Sequence, residues 1–170
     1  MLLGLALLYV GAVLFLNGLW LLGRIDDREI VVINVVSGFV TLCVALSSAF
    51  GAGADAASIR GAALTLLFTT TYLWVAYNRF SGTDGRGLGW FSLFVTITVV
   101  PVAIGALRAA QSGTDIWLGL NWVAWAVLWF MFFLLLALKW PILRATGIVT
   151  VVVGVLTGWL PGILLLDGRM

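Results

Sequence analysis

In the stretch LGLNWVAWAVLWFMFF, Leu118, Trp122, Trp125 and Trp129 are spaced by four, three and four positions. On a helix of about 3.6 residues per turn this spacing sets them on one stripe. Flat indole faces can stack on a planar solute, and an indole N–H buried in hydrocarbon needs an acceptor. Trp122 falls near the end of its apolar stretch. Trp125 and Trp129 fall close to the middle, too deep for the aromatic belts that anchor membrane proteins at the headgroups. Such a face either packs against neighbouring helices or lines a passage that tolerates polar groups. Matching faces occur elsewhere: Leu7, Val10, Leu14 and Asn17 share one, and Thr70, Trp74 and Tyr77 share another. Asn17 and Thr70 are either hydrogen-bonding glue between helices or the sparse polar groups of a narrow, mostly apolar slot.

A slot of that kind suits a small neutral amide. Moving an amide from water into hydrocarbon costs roughly 4 to 8 kcal/mol without a partner, so leakage through lipid is slow and a protein path is useful. An ion would find neither a charged ring nor a carbonyl filter to replace its hydration shell. Selection would then rest on width and flatness.

The elements that must position these residues are apolar helices. A span needs roughly 20 predominantly apolar residues, and six stretches qualify: about 2–23, 30–50, 59–78, 88–107, 116–138 and 145–166. Hydrophobic residues make up 63% of the 170-residue chain and charged ones 9%, far from the balance of a soluble domain. The expected fold is all-α: one integral membrane domain over 1–170, six transmembrane helices, and a pore through each protomer. The opening MLLGLALLYVGAVLFLNGLWLLG is too long for a signal-peptide core and reads as a retained first helix.

Short links, GRIDDRE, GAGADAAS, SGTDGRG, QSGTD and KWPILR, make sequential helices antiparallel neighbours, grouped here as three hairpins: one with two, three with four, five with six. Gly4, Gly11 and Gly18 recur every seven positions in the first span, and Gly154, Gly158 and Gly162 form overlapping small-xxx-small pairs in the sixth, which marks them as helix interfaces. Pro101 is expected to kink the fourth span. The first, third and fifth links carry Arg24, Arg28, Arg79, Arg86, Lys139 and Arg144, against Arg60, Arg108 and Arg169 on the other side. That asymmetry puts the richer side in the cytoplasm and both termini outside. Trp20, Trp90, Trp117, Trp140 and Trp159, near span ends, read as belt residues.

A membrane enzyme is disfavoured. There is no His, the lone Cys43 lies within an apolar span, and the seven carboxylates fall in loops or at span edges. No cofactor or metal is expected. Within transport, the alternative is an ion-coupled amide transporter, but its candidate coupling groups Asp55, Asp84 and Asp115 are all in links. A structural or accessory subunit without transport is the third class.

At LLYVGAVLFLNG, TYLWVAYN, WFSLFVTITVVPVAI, LNWVAWAVLW and VLTGWLPGILL the chain resembles the urea and short-chain amide channels of the AmiS/UreI family, with several motifs in the same order over most of its length. The resemblance implies a six-helix protomer with its own pore in the bacterial inner membrane, assembled as a homo-hexamer whose centre is plugged by lipid. It also implies urea or a short-chain amide as cargo, and a cytoplasmic amidase or urease as metabolic partner. Carried over by position, the paired pore tryptophans are Trp125 and Trp129, Leu128 is an apolar constriction residue, and Trp122 belongs to the outer vestibule. Leu7, Val10, Leu14 and Asn17 match pore positions of the first helix, and Thr70 and Trp74 those of the third. Val153 stands where the urea channel has a pore-lining Glu, which implies a preference for less polar amides. The absence of His makes acid gating hard to transfer and predicts a constitutively open pore.

Overall fold

The computed structural model describes residues 1–170 as six long helices without strands: α1 Leu2–Leu21, α2 Ile30–Phe50, α3 Ala56–Ser81, α4 Arg86–Ala109, α5 Gly113–Leu136 and α6 Leu143–Leu166. All six are long and apolar enough to cross a membrane. Their ends differ from the expected ones by a few residues, most at α3, where a capping box extends the start. Asp55 accepts from the Ser58 backbone N–H, and Ser58 Oγ accepts from the Asp55 N–H, both at 2.8 Å. Ser112 and Asp115 form the same device at α5. At the far end of α3, Gly82 takes φ 68°, the left-handed turn that glycine makes at least cost.

The six helices form the expected all-α fold, and sequential helices are neighbours. Packing is most extensive between α2 and α3, between α4 and α5, and between α1 and α6, so the ends of the chain close a ring. Short links make neighbours, but they do not decide which neighbours pack along their whole length.

The closure of α1 on α6 is built from glycine. A Cβ at Gly11 or Gly158 would fall on the other helix's backbone, and one at Gly18 would lie 2.7 Å from the Val151 nitrogen. Backbones in such contact gain dispersion energy where lipid supplies little hydrophobic drive. Gly154–Trp159 is a π-helical segment, a wider turn within α6, in which Leu160 N–H bonds back to the Val155 carbonyl. Three α5 side chains one turn apart serve this segment: Trp117 donates to the Leu156 carbonyl (2.9 Å), Asn121 to the Thr157 carbonyl (3.1 Å), and Trp125 to Thr157 Oγ1 (2.8 Å). Trp117 is therefore more than a belt residue.

Polar side chains inside the bundle mostly donate to backbone carbonyls, and a few satisfy one another across helices. Asn17 and Asn34 exchange reciprocal amide hydrogen bonds at 3.1 and 2.7 Å between α1 and α2. Thr69 donates to Thr41 at 2.8 Å between α2 and α3. These pairs replace water where none is available to bare polar groups.

Candidate functional site

Inside the ring a single apolar cluster draws on five helices: Leu7, Val10 and Leu14 of α1, Phe68 and Tyr72 of α3, Val95 and Val99 of α4, Trp125, Leu128 and Trp129 of α5, and Val153 of α6. Seven residues singled out in the sequence thus come together there: Leu7, Val10, Leu14, Trp125, Leu128, Trp129 and Val153. Trp122 packs at its edge, its ring centroid 5.0 Å from that of Trp125 and nearly perpendicular.

Phe68 and Tyr72 of α3, and Phe132 of α5, are residues the sequence reading missed; Phe68 sits nearest the tryptophans. Its ring lies 4.8 Å from Trp125, edge to face, and 4.6 Å from Trp129, so it is wedged between the two indoles. Both indole N–H groups are committed to threonines. Trp125 donates to Thr157 Oγ1, which donates to the Val153 carbonyl at 2.6 Å. Trp129 donates to Thr71 Oγ1 at 3.2 Å, and Thr71 donates to the Leu67 carbonyl at 2.8 Å. The tryptophans therefore offer carbon surfaces, not donors, to anything in the cavity beside them.

That cavity, about 30 Å³, is lined by Leu14, Phe68, Tyr72, Trp125, Trp129 and Phe132, with Thr71 and Leu128 completing the wall. One water needs roughly 10–15 Å³ of such space, so the cavity is about the size of two waters and tight for an amide. One group stands apart. Tyr72 is 1% exposed, and its hydroxyl is the one fully occluded side-chain polar atom with no hydrogen-bond partner. A buried orphan of this kind costs on the order of 1 to 3 kcal/mol and calls for an explanation.

Two further cavities lie toward the two ends of α5. Toward the N-terminal end of α5, a space of about 210 Å³ is bordered by Ala106, Ala110, Asp115, Leu118 and Trp122. Toward its C-terminal end, about 30 Å³ is bordered by Trp20, Val75, Asn78, Arg79, Phe132 and Leu136. Phe132 lines both this cavity and the central one. The α5 stripe thus runs on past Trp129 to Phe132 and Leu136 at the same three- and four-residue spacing.

Two expected residues of α3 lie elsewhere. Thr70 is exposed on the outer surface, its hydroxyl donating to the Leu66 carbonyl at 2.9 Å. Trp74 packs on Phe91 of α4, ring centroids 5.6 Å apart, where Gly87 leaves room for it. The α3 face toward the cluster is instead Phe68, Tyr72 and Val75, the other aromatic stripe in the same segment. Asn17 is 4% exposed, but its amide is spent on Asn34 rather than presented to the tryptophans.

Residues 2–169 match the AmiS/UreI family transporter profile. The chain belongs to the AmiS/UreI family. It is 44% identical over 167 residues, 98% of its own length and 77% of the relative's, to a Mycolicibacterium smegmatis protein provisionally named an amidate substrates transporter. It is 35% identical over 188 aligned positions, 96% of both chains, to the acid-activated urea channel of Helicobacter pylori strain J99. A cryo-EM structure of the H. pylori urea channel in a closed state superposes with a TM-score of 0.85, at 35% identity and 99% coverage of both chains. AmiS/UreI membership makes the chain a multi-pass membrane protein of transport, not an enzyme.

Proposed function

We propose that this AmiS/UreI chain is a passive channel for small planar neutral amides of the acetamide type, with urea as a related cargo. One observation carries the reading: Tyr72, whose occluded hydroxyl has no partner, lines an aromatic cavity beside which both indole N–H groups are already bonded. An amide brings both a donor and an acceptor, so it would satisfy that hydroxyl while its plane stacks on carbon surfaces. A hydrocarbon would leave the hydroxyl unmet, and an ion would lose far more hydration than one hydroxyl returns. Leu7, Val10, Leu14, Trp122, Trp125, Leu128, Trp129 and Val153 are proposed to bound the path with Phe68 and Tyr72. Thr70 and Trp74 are left out, and Asn17 is given a structural role.

The candidate coupling groups of the ion-coupled alternative are engaged in local caps and loop pairs. Asp55 caps α3, Asp115 caps α5, and Asp84 accepts from Arg86 Nε at 2.8 Å. We further propose that the Arg-rich links face the cytoplasm, that both termini face outward, and that protomers assemble as a lipid-plugged hexamer in the inner membrane beside an amide-consuming enzyme. The support is the basic-residue asymmetry and the family.

Stopped-flow light scattering of proteoliposomes tests the central claim. Acetamide entry should be faster than in empty vesicles, and Tyr72→Phe should slow it by about fivefold, the worth of one hydrogen bond, with little effect on folding. Wild-type entry equal to that of empty vesicles would refute the channel.

Flux should also be flat between about pH 7 and pH 5. No His is present to titrate there. The backbone N–H and hydroxyl of Ser58 hold the Asp55 carboxyl below its ordinary value, and the backbone N–H and side chain of Arg86 do so for Asp84. A depressed carboxyl contributes stability above its unfolded pKa and loses it only as pH falls through the lower folded value, so neither switches in this window. A rise of about tenfold in acetamide permeability on acidification would contradict this.

A further inference from the structure

The cavity at the Arg79 end of α5 holds a second unspent polar group. Asn78 is 4% exposed, and its Oδ1 accepts from Thr83 Oγ1 at 2.8 Å. Its Nδ2 makes no hydrogen bond in the protein, although the comparable amides of Asn17, Asn34 and Asn121 all donate. Nor is that nitrogen sealed off, since the Tyr72 hydroxyl is the one fully occluded orphan, while Asn78 borders the cavity. The other walls are carbon: Val75, Leu88, Phe132 and Leu136.

Charge nearby is balanced. Arg79 pairs with Asp27 at 3.4 Å and lies 5.3 Å over the Trp20 ring, whose N–H donates to the same Asp27 at 2.6 Å. An anion would have to displace Asp27, whereas a neutral acceptor need displace nothing. Two free N–H bonds on a hydrophobic wall suit one carbonyl oxygen.

Resting on the channel reading above, we propose that Asn78 Nδ2 is a second solute subsite, which donates to the carbonyl oxygen of a small amide at the Arg79 end of α5. Six residues separate Asn78 from Tyr72 on α3, about 9 Å at 1.5 Å per residue. Phe132 stands between the two cavities, so a solute passing its ring leaves the Tyr72 hydroxyl and meets Asn78. Specificity for a carbonyl is then read twice.

The test compares acetamide with thioacetamide, whose sulfur is a weak acceptor, in proteoliposomes carrying Asn78→Leu or Thr83→Val. Both variants break the Asn78–Thr83 bond, but only the first removes the N–H donors. Asn78→Leu should lower the ratio of acetamide to thioacetamide flux by about fivefold, and Thr83→Val should leave it at the wild-type value. Should Asn78→Leu fail to fold, Asn78→Asp, which keeps the acceptor for Thr83, carries the same expectation. An unchanged ratio in the donor-less variant, or an equal fall in Thr83→Val, overturns the subsite. Absence of acetamide flux in the wild-type protein would overturn the channel reading itself, and the subsite with it.

Discussion

Gly158→Ala is expected to prevent recovery of folded protein, although helix propensity alone favours alanine over glycine by about 1 kcal/mol. The added Cβ would fall on the Gly11 nitrogen and Cα, and those are backbone atoms that no rotamer change can move aside. Gly11, Gly18 and Gly162 meet the opposite helix in the same way, so relief at one level would pry apart the others. Overpacking typically costs about 1 to 3 kcal/mol and more where backbone itself must move, a large part of the roughly 5 to 15 kcal/mol that holds a folded protein together. Gly61 has nothing within 4 Å of its would-be Cβ, and Gly61→Ala should behave as wild type. Size-exclusion chromatography of detergent-solubilised protein reads the contrast. A monodisperse Gly158→Ala peak of normal yield would mean that the α1–α6 contact is looser than described.

The glycines on that interface were legible in the sequence because their spacing, seven in α1 and four in α6, has no cheaper explanation in a membrane helix than close approach. The six spans were legible for a similar reason: about 20 apolar residues in a row have few alternatives. The α5 stripe was equally clear, since indoles at mid-span are too costly to leave without partners.

The face of α3 was not legible, and the reason is chemical. FTTTYLWVAYN offers two aromatic stripes, Thr70–Trp74–Tyr77 and Phe68–Tyr72–Val75, and a hydroxyl on the first made it look polar and therefore inward. A threonine in a helix can donate to the carbonyl four residues back, however, and so can face lipid without an unmet donor. Thr70 and Thr98 both do so. Hydroxyls are thus weak evidence of direction in membrane helices, and carboxamides are better, because an amide has more groups than one backbone carbonyl can satisfy. Asn17, Asn34, Asn78 and Asn121 are all buried. Even so, Asn17 showed that burial does not mean presentation to the path, since its partner on α2 lies 17 residues away and no short-range pattern links them. The π-helical segment was hidden for the same reason. Its widened turn is served by Trp117, Asn121 and Trp125, more than 30 residues earlier in the chain.

Trp129→Ala should abolish size discrimination. The indole packs on Phe68, ring centroids 4.6 Å apart, and walls a cavity of about 30 Å³. Its removal leaves a void several times that size, frees Thr71 Oγ1 from its bond, and relaxes the wedge that holds Phe68 against Trp125. In a tight apolar slot each extra methylene is worth roughly tenfold or more in discrimination. Wild-type protein should therefore pass acetamide well ahead of butyramide, and in Trp129→Ala that flux ratio should fall by at least about tenfold. The substitution also carries a stability cost of about 3 to 5 kcal/mol, typical of a buried Trp truncation. Trp129→Phe, which keeps a ring but not the indole N–H, is the companion variant and should retain most of the selectivity if shape decides it. A folded Trp129→Ala protein with the wild-type ratio would show that solute does not pass between these rings, and the cavities along α5 would have to be read as packing alone.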